Sequence, residues 1–201
     1  MTIIGITGGS GAGKTTVLRT LSGLGARVID CDATYHELLR TSIPLVSEIE
    51  KAFPKTVKNG VLDRKALGRA VFSDGKKLKK LTAITDKYVL EAVRGIIDEE
   101  KKLGGELCAV DAVGLFESGL NNICSFTVAV TAPRETRIKR ITAREGVSRE
   151  YAEMRVDAQK LELFYTEKCD YVLRNDGEDE KSFAEYCEEF FKEILGRKSN
   201  V

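Results

Sequence analysis

No stretch of this 201-residue chain is a continuous apolar run of the about 18 residues that a bilayer span requires. The N-terminus, Met1-Thr2-Ile3-Ile4-Gly5-Ile6, lacks the positive leader of a secretory signal, and its apolar run is too short for one. Charge surplus is missing as well. The 32 Lys and Arg oppose 31 Asp and Glu, for a net charge of +1. No global field draws the chain to nucleic acid or to a membrane surface, so any basic site must be local. The five cysteines (Cys31, Cys108, Cys124, Cys169, Cys187) are widely spaced and form no CxxC pair. Spacing argues against zinc, and chain size argues against a disulfide framework. They are expected to be reduced, small apolar residues of a cytoplasmic protein. Histidine occurs once, at His36.

What the chain does have is short Val- and Ile-rich apolar runs. They are Ile3 to Thr7, Arg27 to Asp30, Leu107 to Asp111, Phe126 to Thr131 and Tyr171 to Leu173. Such runs suit a parallel sheet covered on both faces. Helical patterns lie between them. From Thr15 to Leu24, Val17, Leu18, Leu21 and Leu24 share a face, with Gly23 and Gly25 as stop signals. Near the C-terminus, Ser182-x-x-Glu185 reads as a capping box. Phe183, Tyr186, Cys187, Phe190 and Ile194 then follow at helical spacing and are expected to dock on the sheet. Residues 33–102 show no convincing strand and read as helices and turns. The expected architecture is a doubly wound α/β fold with a parallel five-stranded sheet. It forms one domain over 1–201: a core of 1–32, 103–133 and 169–201, a helical insertion at 33–102, and a lid at 134–168.

Gly8-Gly9-Ser10-Gly11-Ala12-Gly13-Lys14-Thr15 fits G-x-x-x-x-G-K-[ST]. A chain that wraps a phosphate with its own N–H groups needs positive φ and no side-chain bulk, hence glycine. The helix that follows aims its positive end at the anion. Gly8, Gly11, Ala12, Gly13 and Thr16 are therefore expected to bind phosphates. Lys14 would place its charge on the β and γ phosphates, and the Thr15 hydroxyl would complete a magnesium shell. The motif follows an apolar strand and opens an amphipathic helix, the context it requires. The expected fold is therefore the P-loop NTPase fold, with ATP and Mg2+ as cofactors.

Ligands of an open α/β sheet bind beyond the carboxyl ends of its strands. The second strand ends in Asp30-Cys31-Asp32. One carboxylate would serve the metal and the other would orient an acceptor hydroxyl and take its proton. Asp32 is favoured for the acceptor, because it leads into the insertion, which leaves Asp30 for the metal. A helix N-cap is the alternative use of such an acid, and one side chain could do both. Asp111 closes an apolar strand, a position suited to holding Mg2+ through water; a turn-forming Asp is the alternative. Glu117 is a further candidate. His36 would share a helical face with Asp32 and reads as a surface or substrate-contacting group. Arg137, Arg140 and Arg144 share one helical face in the expected lid, where guanidinium donors match a transferring phosphoryl group. A solvated face neutralised by neighbouring glutamates is the alternative. The run Lys76-Lys77-x-Lys79-Lys80 reads as a solvated helix face, with contact to substrate phosphates as the other option.

Taken together, the motifs resemble the dephospho-coenzyme A kinase family over nearly the full chain. The matching residues run from Gly8 to Thr16 and from Val28 to Asp32. Gly60-Val61-Leu62-Asp63-Arg64, Leu67 and Val71-Phe72 follow, then Leu115-Phe116-Glu117. Arg140, Arg144, Gly146, Ser148, Arg155 and Gln159 match the lid. Asp170-Tyr171-Val172, Asn175 and Gly177 match the last block. The resemblance implies transfer of the ATP γ-phosphate to the ribose 3′-hydroxyl of dephospho-coenzyme A. It implies Asp32 as the acceptor-activating acid and Arg64 as a substrate contact. Arg140, Arg144 and Arg155 would be lid contacts, and Asn175 would lie near the adenine. The chain departs from the family at Thr85-Asp86 (usually His-Pro), Val113-Gly114 (Pro-Leu), His36 (Arg) and Tyr165 (Lys). Other small-molecule kinases of nucleoside, nucleotide or shikimate type, or an acceptor-free nucleotide switch, are the alternative functions. The missing Asn-Lys-x-Asp guanine-reading motif argues against the switch. The expected partner is a small-molecule substrate rather than nucleic acid or membrane, with the chain a monomer or small homo-oligomer.

Overall fold

The computed structural model describes residues 1–72, 74–177 and 179–198. Its centre is a parallel five-stranded sheet built from β1 (Thr2–Thr7), β2 (Arg27–Asp30), β5 (Leu107–Asp111), β6 (Phe126–Thr131) and β7 (Tyr171–Arg174). The strand order is β2-β5-β1-β6-β7, so the strand before the glycine loop lies in the middle. Burial follows from that position: Ile4, Ile6, Val110, Val128 and Val130 have no exposed surface. The β2–β5 register pairs Asp30 with Asp111, which brings two strand-end acids to one edge of the sheet.

One face of the sheet is covered by α1 (Lys14–Gly23) and α9 (Glu180–Lys198). Val17 and Leu21 of α1 meet Phe183, Cys187, Phe191 and Ile194 of α9 in a single core. The helix docks where expected, through a partly different set of side chains. Phe191 is fully buried, whereas Tyr186 is 47% exposed. The start of α9 also differs from the expected capping box. Asp179 accepts from the backbone N–H of Lys181 at 3.2 Å and of Ser182 at 2.8 Å, so Ser182 lies inside the first turn. An Asp two residues before Lys181 captures the free amides of the helix start, which leaves Ser182 no capping role.

The opposite face carries α2 (Cys31–Thr41), α3 (Ile43–Ala52), α4 (Arg64–Val71) and the long α5 (Gly75–Lys102). Leu81, Thr85, Val89, Val93 and Ile97 repeat every four residues along α5 and are buried. The helix serves two cores. Val89, Val93 and Ile97 pack on the sheet, while Leu81 joins Leu45, Ile49, Leu67 and Val71 in a helical cluster of its own. Its first turns carry Lys76, Lys77, Lys79 and Lys80, all exposed. The 33–102 segment is not strand-free. β3 (Val57–Lys58) and β4 (Val61–Leu62) form a small antiparallel hairpin. Its turn is Asn59-Gly60, with φ of 52° and 77°. This dipeptide tolerates two successive positive φ values, the requirement of a two-residue hairpin.

After β6 come α6 (Arg134–Glu145), α7 (Arg149–Asp157) and α8 (Glu162–Lys168). Gly146 closes α6 at φ 66°, and Ser148 caps α7 by accepting from Tyr151 N–H. Ile138, Ile141, Ala152 and Val156 seal the α6–α7 pair with a small core.

Candidate active site

The glycine loop adopts the conformation its sequence requires. Gly8, Gly11 and Gly13 have φ of 139°, 77° and 109°. A Cβ on Gly8 would fall 2.2 Å from the Val130 carbonyl oxygen, and one on Gly13 would fall 2.2 Å from the Asn175 amide nitrogen. Both positions thus exclude other residues twice over, by φ and by space. Lys14 Nζ donates to the Gly8 carbonyl at 3.1 Å, folding the ammonium back over the loop.

Helix α6 and Gln159, just beyond α7, grip this loop from outside. Arg137 Nε donates to the Ser10 carbonyl at 2.9 Å. Gln159 accepts from Ser10 N–H at 2.9 Å and donates to Ser10 Oγ at 2.8 Å. Arg140 donates to the carbonyls of Gly11 at 3.3 Å and Gly177 at 2.7 Å, and to Asn175 Oδ1 at 3.0 Å. Buried Asn175 in turn donates to the Ala12 carbonyl at 3.0 Å. From the sequence Arg137 was expected to face a transferring phosphoryl group with Arg140 and Arg144; it bonds to the loop backbone instead. It shares the helical face of Arg140 and Arg144, and that periodicity was the available signal.

A cavity of about 680 Å³ opens over the loop. Gly11, Gly13, Lys14, Thr15, Thr16, Asp32, Arg140, Arg144, Arg155 and Asn175 all line it. Arg19 and Glu180 line it too and pair at 2.8 Å, though no motif or periodicity pointed to them. Arg144 and Arg155 both donate to Glu145, which thereby orients two guanidinium groups at the cavity edge. Those same bonds hold the Glu145 carboxyl below its ordinary range.

The acids separate into distinct roles. Asp30 is the N-cap of α2, with Oδ1 accepting from Ala33 N–H at 2.9 Å. Asp32, in the first turn of α2, faces the cavity instead. Asp111 sits behind the loop with its Oδ1 buried and without a hydrogen-bond partner. Burial pushes its carboxyl up to about 6; Lys14 opposes the shift, and Asp30 and Asp32 add to it. Burial, followed by Asp111, Asp30 and Asp32, pushes the Cys31 thiol up to about 12, so this cysteine stays protonated.

A second cavity, of about 330 Å³, shares Asp32 and Val113 with the first. Its walls are largely apolar, from Tyr35, Leu81, Val89 and Leu120. Three expected acceptor contacts lie elsewhere. His36 and Arg64 meet each other at 3.2 Å and line neither cavity. His36 lies one turn beyond Asp32 on α2, where it meets Arg64, the first residue of α4. Glu117 lines a side cavity beyond Val113-Gly114 and pairs with Lys160 at 3.7 Å.

A central glycine loop, its lysine and an acid facing a second cavity define a P-loop kinase. The family model for dephospho-CoA kinase matches residues 2–181. The dephospho-CoA kinase of Moorella thermoacetica is 36% identical over 92% of this chain and 88% of that protein. The Thermus thermophilus dephospho-CoA kinase is 38% identical over 87% of this chain and 83% of its own length. A crystal structure from Thermus thermophilus superposes with a TM-score of 0.74 at 36% identity, covering 98% of this chain and 97% of that one. The shikimate kinase of Acinetobacter baumannii shares the fold, with a TM-score of 0.54 at 18% identity over 98% and 95% of the two chains. The chain belongs to the dephospho-CoA kinase family, whose reaction is the ATP-dependent phosphorylation of dephospho-CoA in coenzyme A biosynthesis.

Proposed function

We propose that this site transfers the γ-phosphoryl group of ATP to the ribose 3′-hydroxyl of dephospho-CoA. The observation that carries the reading is the position of Asp32, among the described residues the one carboxylate that lines both cavities. The triphosphate lies along the amides of Gly11 to Thr16 with Lys14 at its β and γ oxygens. The acceptor enters from the second cavity, its hydroxyl against Asp32. The hydroxyl oxygen bonds to the γ phosphorus as the bond to the β-bridging oxygen breaks, and ADP leaves. The hydroxyl proton passes to Asp32. The transition state is loose, so positioning and charge outweigh base strength. Arg144 and Arg155, oriented by Glu145, face the spreading charge.

The residues present suit a magnesium ion. Asp111 offers a buried oxygen with no partner, its carboxyl pushed up chiefly by burial, and Thr15 offers a hydroxyl in the cavity. Among the described residues no three His, Cys, Asp or Glu side chains converge as a metal cluster. That agrees with an ion that keeps its waters and leans on substrate phosphates. Thr15 and Asp111, with Asp30 beside it, would hold the metal, which supplies neutralisation of the phosphate oxygens. The helical segment 33–102 serves as the acceptor-binding unit and 134–168 as the lid of one domain. All five cysteines are free, which suits a reducing cytoplasm.

An acceptor panel tests the reading. ADP release with Mg2+ and ATP is measured with dephospho-CoA, adenosine, shikimate and no acceptor, with Lys14→Ala as the blank. Release that depends on dephospho-CoA is expected. Release at full rate without acceptor contradicts the proposal.

A further inference from the structure

The second cavity contains an acid that the mechanism leaves unused. Its wall from α5 presents Leu78, Leu81, Thr82, Thr85, Asp86 and Val89 at helical spacing. Most of that face is apolar or hydroxyl-bearing, and the buried hydroxyl among them is spent locally. Thr85 Oγ1 donates to the Thr82 carbonyl at 3.0 Å. On the opposite wall Ser118 Oγ donates to the Gly114 carbonyl at 2.7 Å. Asp86 differs. Its half-buried carboxyl has no hydrogen bond or ion pair among the described residues. Burial, and then the charge of Glu117, pushes it up. A half-buried acid without a partner costs folding stability. Here it lines the same cavity as Asp32, where a ligand could complete it.

The missing partner is a hydrogen-bond donor or a cation. It should also carry a flat apolar body, because much of the remaining wall is apolar, Tyr35, Leu81, Val89 and Leu120 included. A purine bearing an exocyclic amine meets both demands. In the acceptor the base hangs on the same ribose as the reacting hydroxyl, so it reaches only one group beyond Asp32. We propose that Asp86 is a specificity-determining residue that accepts a hydrogen bond from the exocyclic amine of the acceptor's adenine. This inference rests on dephospho-CoA as acceptor.

The test compares dephospho-CoA with its analogue in which purine, lacking the 6-amine, replaces adenine. Wild type is expected to prefer adenine by roughly 10- to 100-fold in acceptor kcat/KM, the worth of one bond to a charged group. Asp86→Ala is expected to bring that ratio near one, with the KM for ATP unmoved. Asp86→Asn, which keeps an accepting oxygen, is expected to retain part of the preference. Alanine favours the helix and removes an unpaired acid, so the variant should fold. A wild-type ratio near one overturns the proposal, as does an Asp86→Ala enzyme that keeps the wild-type ratio. Failure of wild type to phosphorylate dephospho-CoA at all would overturn the acceptor assignment first, a result distinct from a changed ratio.

Discussion

Asp111 shows how one residue couples stability to function. Its carboxyl is raised from 3.8 to about 6, chiefly by burial. In metal-free protein the folded state therefore binds that proton more tightly than the unfolded chain does. The resulting stability is fully present below the unfolded value and is lost as pH rises through about 6. By pH 7 the shift opposes folding by about 3 kcal/mol. Asp111→Asn in chelator-containing buffer should thus melt higher than wild type at pH 7.5. The gap should close toward pH 4, and turnover with Mg2+ should fall. Melting curves at the two pH values check this, and an unchanged melting temperature at pH 7.5 would count against it. Much of this scale was legible in the sequence. Glycines at the sharpest points of the loop and a lysine at its end admit few other uses. The division of labour between Asp30 and Asp32 was less accessible. It depends on which residue opens α2, and a shift of one position exchanges cap and cavity.

At the scale of elements, α6 and the chain just past α7 act on the glycine loop through its backbone. Arg137, Arg140 and Gln159 bond to Ser10 and Gly11, while Arg144 and Arg155 stay at the cavity with Glu145 between them. Glu145→Ala should free both guanidinium groups to wander and raise the KM for ATP several-fold. Exposed pairs contribute little to folding, so the melting temperature should barely move. Steady-state kinetics beside a thermal melt separate the two effects. Docking of α9 predicts the reverse pattern. Phe191→Ala empties a fully buried site and should cost about 3–5 kcal/mol in chemical denaturation, with ligand affinities nearly unchanged in the protein that remains folded. The existence of these helices was readable from periodicity. Their inner faces were less so, since Phe190 and Phe191 are adjacent and only the packed structure decides which turns inward. The Asn59-Gly60 hairpin had a readable signal that its very short strands obscured.

For the whole molecule, the parallel sheet gathers the loop, the strand-end acids and the lid arginines along one edge, and a helical layer adds a second cavity beside them. The strand pattern and the glycine motif made the first cavity foreseeable. The second is made by contacts between α2, α5 and the loop after β5, residues far apart in sequence with no shared motif. His36 and Arg64, read from the sequence as substrate contacts, face each other beside it. Asp32 joins the two cavities, and the account stands on that junction. The most direct measurement is turnover of Asp32→Asn against wild type, at saturating ATP, Mg2+ and dephospho-CoA, followed by coupled ADP release. The account predicts a fall in kcat of about 100-fold or more, with both KM values within a few-fold of wild type. Equal kcat in the two proteins would contradict it.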